Sequence, residues 1–151
     1  MTTFEDINGV LDFAIENEQE AVDFYNNLAS QAKNEEMKLT FSQFAQEEMG
    51  HKARLLKVKE TGLVDLPVEK VKDLKIADFT VAAKPSPDMT YQDALILAMR
   101  KEKAAFKLYM TLADKSGNAQ MKEIFLALAV EESKHKLRFE LEYDENVLKE
   151  N

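Results

Sequence analysis

The second half of the chain repeats the first half at a fixed spacing of 84 residues. Glu18 is matched in this way by Glu102, and the same spacing relates three further pairs, Tyr25/Tyr109, Glu48/Glu132 and His51/His135. The sequence contains no other histidine, and each of the two follows a glutamate by three positions. The repeat therefore predicts a molecule with two equivalent halves that share one two-fold-symmetric site.

Apolar residues recur at three- and four-residue steps within each half, which is typical of amphipathic helices. Glycine and proline are scarce, with 4 and 3 among 151 residues, so long uninterrupted helices are expected. Asp6 and its repeat partner Thr90 are the expected N-caps of the first and third helices, and Gly62 is expected to end the second. The helices are predicted over residues 6–33, 35–61, 90–115 and 118–149.

The segment between the halves, residues 62–89, holds all three prolines of the chain. We predict a short helix near residues 69–75, and an apolar side that packs on the bundle through Leu63, Leu66, Val71, Leu74, Ile76 and Phe79. A helix of about 27 residues is roughly 40 Å long, so a connection between opposite ends of a bundle must be long. The prediction is an all-α four-helix bundle, with two helical hairpins joined by one long crossover. The length suits a single domain over residues 1–151, with repeat halves at about 6–61 and 90–149.

Helical spacing places six repeated polar residues among apolar neighbours on the inner sides of the helices, namely Glu18, Glu48, His51, Glu102, Glu132 and His135. Four isolated carboxylates in a bundle interior would cost several kcal/mol each or would take up protons. Two divalent cations neutralise four carboxylates, and two neutral imidazoles complete the ligand set. The six side chains are therefore predicted to bind a pair of metal ions. Such ligands suit iron or manganese, and zinc can occupy the same site in a purified sample.

Two further repeated pairs lie next to the predicted ligands. Tyr25 and Tyr109 are either core aromatics or donors of hydrogen bonds to metal-bound glutamates. Glu47 and Glu131 directly precede the two Glu-x-x-His motifs, and they are either surface charges or acceptors for the histidine N–H that does not face the metal. In the second case the histidine is the one four residues later or the one across the bundle.

Charge and composition exclude several classes of function. The formal net charge is −8, so nucleic acid and an anionic membrane surface would be repelled. The absence of cysteine removes disulfides, thiolate metal sites and thiol catalysis. The chain opens without a basic and apolar leader, and no apolar run approaches membrane-spanning length, so we expect a cytoplasmic location.

The stretches AIENEQEAVDFY, which begins at Ala14, and FAQEEMGH, which begins at Phe44, resemble the di-iron domain of rubrerythrins in the ferritin-like superfamily. The signature returns in the second half, so the resemblance covers roughly residues 6–145. It implies a ferritin-like bundle with terminal glutamate ligands, bridging glutamates and one histidine for each metal. By this resemblance the terminal ligands are Glu18 and Glu102, and the bridging ligands are Glu48 and Glu132. The histidine ligands are His51 and His135.

Rubrerythrins react with hydrogen peroxide or dioxygen at a reduced di-iron centre, and many are dimers. The resemblance thus implies two iron ions, an oxidoreductase of the peroxidase type and a homodimer. Rubrerythrins usually carry a rubredoxin domain with a four-cysteine iron site. Because this chain has no cysteine, its electrons are expected from a separate donor such as a rubredoxin-like protein. The family also tends to have a glutamate where this chain has Ala105, so the six-ligand set is closer to that of bacterioferritins.

Two other hypotheses fit the same residues. One is a ferroxidase or iron-binding protein that does not turn over peroxide. The other is a structural helical bundle without a functional metal site.

Overall fold

The computed structural model describes residues 3–62, 66–86 and 88–150, with side chains described as far as Asn146. Its described elements are α1 (Ile7–Gln31), α2 (Glu35–Thr61), α3 (Val68–Lys72), a 3-10 helix (Ile76–Phe79), α4 (Tyr91–Lys115) and α5 (Ala119–Glu150). Packing is closest within two hairpins, α1 with α2 and α4 with α5. The predicted all-α bundle of two hairpins and a long crossover is confirmed.

Side-chain caps explain where the four long helices begin. Asp6 and Thr90 accept hydrogen bonds from backbone N–H groups three residues later, at 2.9 and 3.0 Å. Asn34, which was not predicted as a cap, caps α2 in the same way, and its repeat partner Asn118 caps α5. Each cap satisfies a backbone donor that the helix itself leaves unpaired. The repeat therefore extends to the caps, which start each hairpin's helices at equivalent points.

The buried apolar side chains form two clusters, which together make up the core. In α1 the first cluster takes residues up to Ala14 and the second begins at Ala21. In α2 the order is reversed, since the second cluster ends at Ala45 and the first resumes at Leu55. The α4–α5 hairpin has the opposite order, since α4 begins in the second cluster and ends in the first, and α5 runs back to the second. The interval between the clusters is where each long helix carries its predicted metal ligands.

The crossover packs against the bundle through its apolar residues. Leu66, Val71, Leu74 and Phe79 are buried, whereas Leu63 lies outside the described residues. The predicted short helix is present as α3 and contacts α1. The 3-10 helix, which the sequence analysis did not predict, contacts α4. The crossover therefore covers the side of the bundle on which α1 and α4 lie.

Among the described residues, none of the helices combines the length and the apolar character needed to cross a membrane.

Candidate metal centre

The six predicted ligands lie between the two apolar clusters and are almost completely buried. Each exposes 3% or less of its surface, and the six are Glu18, Glu48, His51, Glu102, Glu132 and His135. α1 and α4 supply one glutamate each, while α2 and α5 each supply a glutamate and a histidine one turn apart. All four long helices thus contribute to one polar layer in an otherwise apolar core.

Distances divide these side chains into two overlapping groups. Within each group, one ligand atom per residue lies within 4.8 Å of all the others. Glu48 and Glu132 belong to both groups. A carboxylate that is shared by two cations would lie in this position, near the ligands of both. The first group adds Glu18 and His51, and the second adds Glu102 and His135.

Every one of the six side chains keeps one buried polar atom without a hydrogen-bond partner. These atoms are Oε2 of Glu18, Oε1 of Glu48, Nδ1 of His51, Oε2 of Glu102, Oε1 of Glu132 and Nδ1 of His135. A buried polar atom left unpaired costs about 1–3 kcal/mol, so six in one place would destabilise the fold strongly unless a ligand satisfies them. Carboxylate oxygen and imidazole nitrogen are both ligands of divalent first-row metals. The residues present therefore fit a pair of such ions.

Three of the four buried carboxyl groups hold protons more tightly here than in water when no cation is present. Burial, together with the charge of neighbouring groups, raises the pKa of Glu18, Glu102 and Glu132. Burial also acts to raise the pKa of Glu48, but interactions with Glu18 and the two histidines outweigh it, so that pKa falls below its ordinary value. A cation pair therefore competes with protons for this site.

Each histidine contacts a glutamate of the opposite hairpin through Nε2, the ring nitrogen that points away from the buried glutamates. Nε2 of His51 lies 2.6 Å from Oε2 of Glu131, and Nε2 of His135 lies 2.8 Å from Oε2 of Glu47. Of the two partners considered from the sequence, the structure shows the one across the bundle. Both glutamates are 43% exposed, and Glu131 also pairs with Arg54 at 3.2 Å.

Because Glu131 and Glu47 contact Nε2, the other nitrogen of each histidine ring, Nδ1, faces the buried glutamates. Nδ1 of His51 lies 2.9 Å from Oε1 of Glu132, and Nδ1 of His135 lies 2.8 Å from Oε1 of Glu48, without a hydrogen bond in either case. A carboxylate behind a histidine fixes the tautomer and raises the basicity of the other ring nitrogen. Glu47 and Glu131 therefore leave Nδ1 as the ring nitrogen available to a metal ion.

The two predicted tyrosines also connect the hairpins. Tyr25 of α1 donates a hydrogen bond to Oε1 of Glu102 in α4, and Tyr109 of α4 donates one to Oε1 of Glu18 in α1 at 2.5 Å. Burial, with the adjacent carboxylate charge, raises the pKa of both phenols, so they remain protonated donors. Each bond occupies one oxygen of a glutamate and leaves its other oxygen unpartnered.

A cavity of about 310 Å³ runs to the predicted ligands from the side covered by the crossover. All four buried glutamates line it, together with Tyr25 and Tyr109. Its lining also includes Glu16, Glu20, Lys84 and Lys101, of which only Lys101 is half-buried and the others are exposed. Ala21 and Ala105 line it as well. Glu16 and Glu20 belong to neither of the two ligand groups.

The cavity was not predicted, although the repeat contained a signal for it. Ala21 and Ala105 are 84 positions apart, and each follows a predicted ligand by three positions. A small residue repeated one turn from a ligand indicates space beside that ligand. Lys84 offered no such signal, because only the path of the crossover brings it to the cavity.

A four-helix bundle of two hairpins and a long crossover, with four glutamates and two histidines gathered in its core, defines a ferritin-like protein with a candidate di-metal carboxylate site. The family model described as Rubrerythrin matches residues 9–90 and 93–151, and the chain therefore belongs to the rubrerythrin family. No curated protein and no solved structure matches it. Rubrerythrins usually bind iron.

Proposed function

We propose that this protein is a non-haem di-iron oxidoreductase that reduces hydrogen peroxide or dioxygen at a carboxylate-bridged centre. The observation that carries the proposal is that six buried side chains each keep one polar atom without a hydrogen-bond partner. Four of these side chains, the glutamates, line a cavity. The unpartnered atoms favour a metal pair, and the cavity offers a small oxidant a path to it.

The two overlapping groups indicate which residues would hold each ion. Glu18 and His51 would bind one ion, Glu102 and His135 would bind the other, and the glutamates common to both groups would be shared. When bound and reduced, the iron pair supplies two electrons, one from each ion, which is the number that cleavage of an O–O bond consumes. Family membership favours iron over manganese or zinc in this role.

The remaining residues would orient the ligands and exclude bulk water. Tyr25 and Tyr109 hold the terminal glutamates, and Glu47 and Glu131 hold the histidines. These contacts fix the ligand atoms before a metal arrives, and such preorganisation is the protein's main contribution at a metal centre.

The electrons would come from a separate donor, such as a rubredoxin-like protein, because the sequence has no cysteine for an iron–thiolate site of its own. A cytoplasmic location, which we propose with this function, would provide reduced carrier proteins. A homodimer is also proposed. It is supported by exposed large apolar side chains on the two histidine-bearing helices, including Met49, Leu56, Leu137 and Leu141.

Stopped-flow oxidation of the anaerobic di-ferrous protein tests the proposal. We expect hydrogen peroxide to oxidise the iron faster than dioxygen at equal concentration. Glu48→Gln removes a shared ligand and is expected to abolish the reaction, whereas Glu60→Gln, an exposed change on the same helix, is expected to leave it intact. If peroxide is no faster than dioxygen, the protein is not a peroxidase.

Ferroxidase activity or iron binding without peroxide turnover is the second candidate. It is favoured by the exposed carboxylates Glu16 and Glu20 beside the cavity, which offer Fe²⁺ oxygen ligands at that point. Aerobic loading distinguishes the two, because iron handling would take up well over two ions per chain.

A further inference from the structure

The cavity beside the ligands is far larger than hydrogen peroxide requires. Its volume is about 310 Å³, whereas a water molecule takes up about 30 Å³ of the liquid. A molecule of two oxygen atoms would fill only a small part of this space. Cavities of about 300 Å³ or more are of the size that binds small organic molecules.

Much of the cavity wall is apolar. α1, α4 and the crossover supply this surface together, through Phe13, Ala14, Ile76, Phe79, Ala105 and Leu108. Water in contact with such a wall lacks the two to four polar partners that hold a buried water in place. This part of the cavity is therefore suited to an apolar group.

Two alanines keep the space open next to the ligands. Ala21 follows Glu18 by three positions in α1, and Ala105 follows Glu102 by three positions in α4, so each lies one turn from its glutamate. Both line the cavity. A larger side chain at either position would project into the space directly beside the ligands.

Four charged side chains of the lining that lie outside the ligand groups balance one another. Glu16 and Glu20 contribute two negative charges, and Lys84 and Lys101 contribute two positive ones. The amine of Lys101 lies 5.7 Å from the centre of the Phe24 ring, within the range of a cation–π interaction. Such a lining favours an uncharged ligand over an organic anion or cation.

We propose that the cavity binds the organic part of an alkyl hydroperoxide, an uncharged molecule with an apolar body and a terminal O–O group. This inference rests on the proposed function and specifies its substrate class. The O–O bond of ROOH breaks, two electrons from the reduced iron pair and two protons are taken up, and the products are the alcohol ROH and water. The apolar body lies against the wall while the O–O group reaches the carboxylates.

Ala105→Leu tests the proposal because it fills the cavity beside the ligands. The di-ferrous protein is mixed with cumene hydroperoxide or with hydrogen peroxide, and the ratio of the two rates is compared between variants. We expect Ala105→Leu to lower the ratio about tenfold or more, the discrimination that a hydrophobic pocket gives when its volume changes by a few methylene groups. Ala53→Leu makes the same change at an exposed position of α2 outside the cavity, and it is expected to leave the ratio unchanged.

Binding to the metal-free protein gives a second measurement that needs no turnover. Saturation-transfer NMR with cumyl alcohol, the reduction product, should show saturable binding to the unmodified chain and to Ala53→Leu, and weaker binding to Ala105→Leu. Rapid oxidation by hydrogen peroxide without binding of the alcohol, or with the rate ratio unaffected by Ala105→Leu, would overturn this inference and leave the proposed function in place. Failure of both oxidants to react would instead overturn the proposed function.

Discussion

Single residues of this site act through partners that are remote in the sequence. His51 and Glu131 are 80 positions apart, and His135 and Glu47 are 88 positions apart. Tyr25 and Tyr109 reach across to the terminal glutamates in the same way, over 77 and 91 positions. The predicted ligands of each hairpin are thus oriented by residues of the other hairpin. Substitutions of these orienting residues therefore test how the site is assembled.

Glu47→Gln and Glu131→Gln keep the shape of the side chain and remove its charge. We expect each to weaken metal binding about 10–100-fold, because the histidine loses the carboxylate that fixes its tautomer and raises its basicity. Anaerobic Fe²⁺ titration measures the effect. Glu60→Gln, on the exposed side of α2, is the matched control. Unchanged affinity in both test variants would show that the outer glutamates are only surface charges.

Metal binding is expected to release protons. Burial acts to lower the pKa of both histidines, but the nearby carboxylates outweigh it and raise the pKa to about 10 for His51 and about 11 for His135 in the metal-free protein. A raised histidine pKa means that protonation stabilises the metal-free fold below about pH 6.5, and that this contribution is lost as the pH rises through 10 to 11.

At pH 7 an entering cation must therefore displace protons from the imidazoles, so its apparent affinity should rise with pH. Calorimetric titration in buffers of different ionisation enthalpy counts the protons released, and at least about one per histidine is expected. Heats that do not depend on the buffer would contradict the prediction.

The helices position the predicted ligands through the packing on either side of them. Each long helix packs in one apolar cluster before its predicted ligands and in the other cluster after them. α2 shows this clearly, since it packs in the second cluster up to Ala45, carries Glu48 and His51, and returns to the first cluster at Leu55. Apolar packing on both sides therefore sets the depth of the polar layer. The stability of α2 itself can be tested at two glycines, one within the helix and one at its C-terminal end.

Gly50→Ala and Gly62→Ala are expected to have opposite effects. Gly50 lies within α2, and a Cβ there would meet nothing within 4 Å, so alanine should stabilise the protein by about 0.5–1 kcal/mol. Gly62 ends α2 with φ at 66°, where alanine should cost about 1–2 kcal/mol. Urea unfolding of the metal-free protein measures both. A loss of stability at Gly50 would mean that this surface of α2 is covered by a partner.

The two hairpins of the whole molecule meet at the candidate metal site. Packing is closest within each hairpin, whereas each group of four ligands draws residues from both hairpins. Cations bound there would join the hairpins and relieve the repulsion among four buried carboxylates. Metal should therefore bind the folded state only and shift the unfolding of the whole molecule.

We expect free metal at about a hundred times its dissociation constant to add about 2.7 kcal/mol to the free energy of unfolding. Glu132→Gln should abolish this gain, because Glu132 belongs to both ligand groups. The same variant should be more stable than the unmodified chain without metal at pH 7, since burial raises the pKa of Glu132 and makes its charged form costly. Thermal unfolding with and without Fe²⁺ measures both effects. A full metal response in Glu132→Gln would contradict the prediction, because the stabilising metal would then bind without a residue that both ligand groups share.

The sequence alone determined the four long helices, their pairing as hairpins and the six residues that meet in the core. It could do so because helical periodicity and an 84-residue repeat are local and regular, so Glu48 and His51 must share a face wherever α2 lies. That these residues bind metal, and that residues 1–151 form one domain, stay predictions.

Only the tertiary structure decided that Glu131 holds His51, that Tyr25 reaches Glu102 and that the crossover forms part of a cavity. These contacts depend on how the two hairpins are placed against each other and on the path of the segment between them. No local pattern encodes either of these, because the contacting side chains are far apart in the chain and become neighbours only when the hairpins pack together.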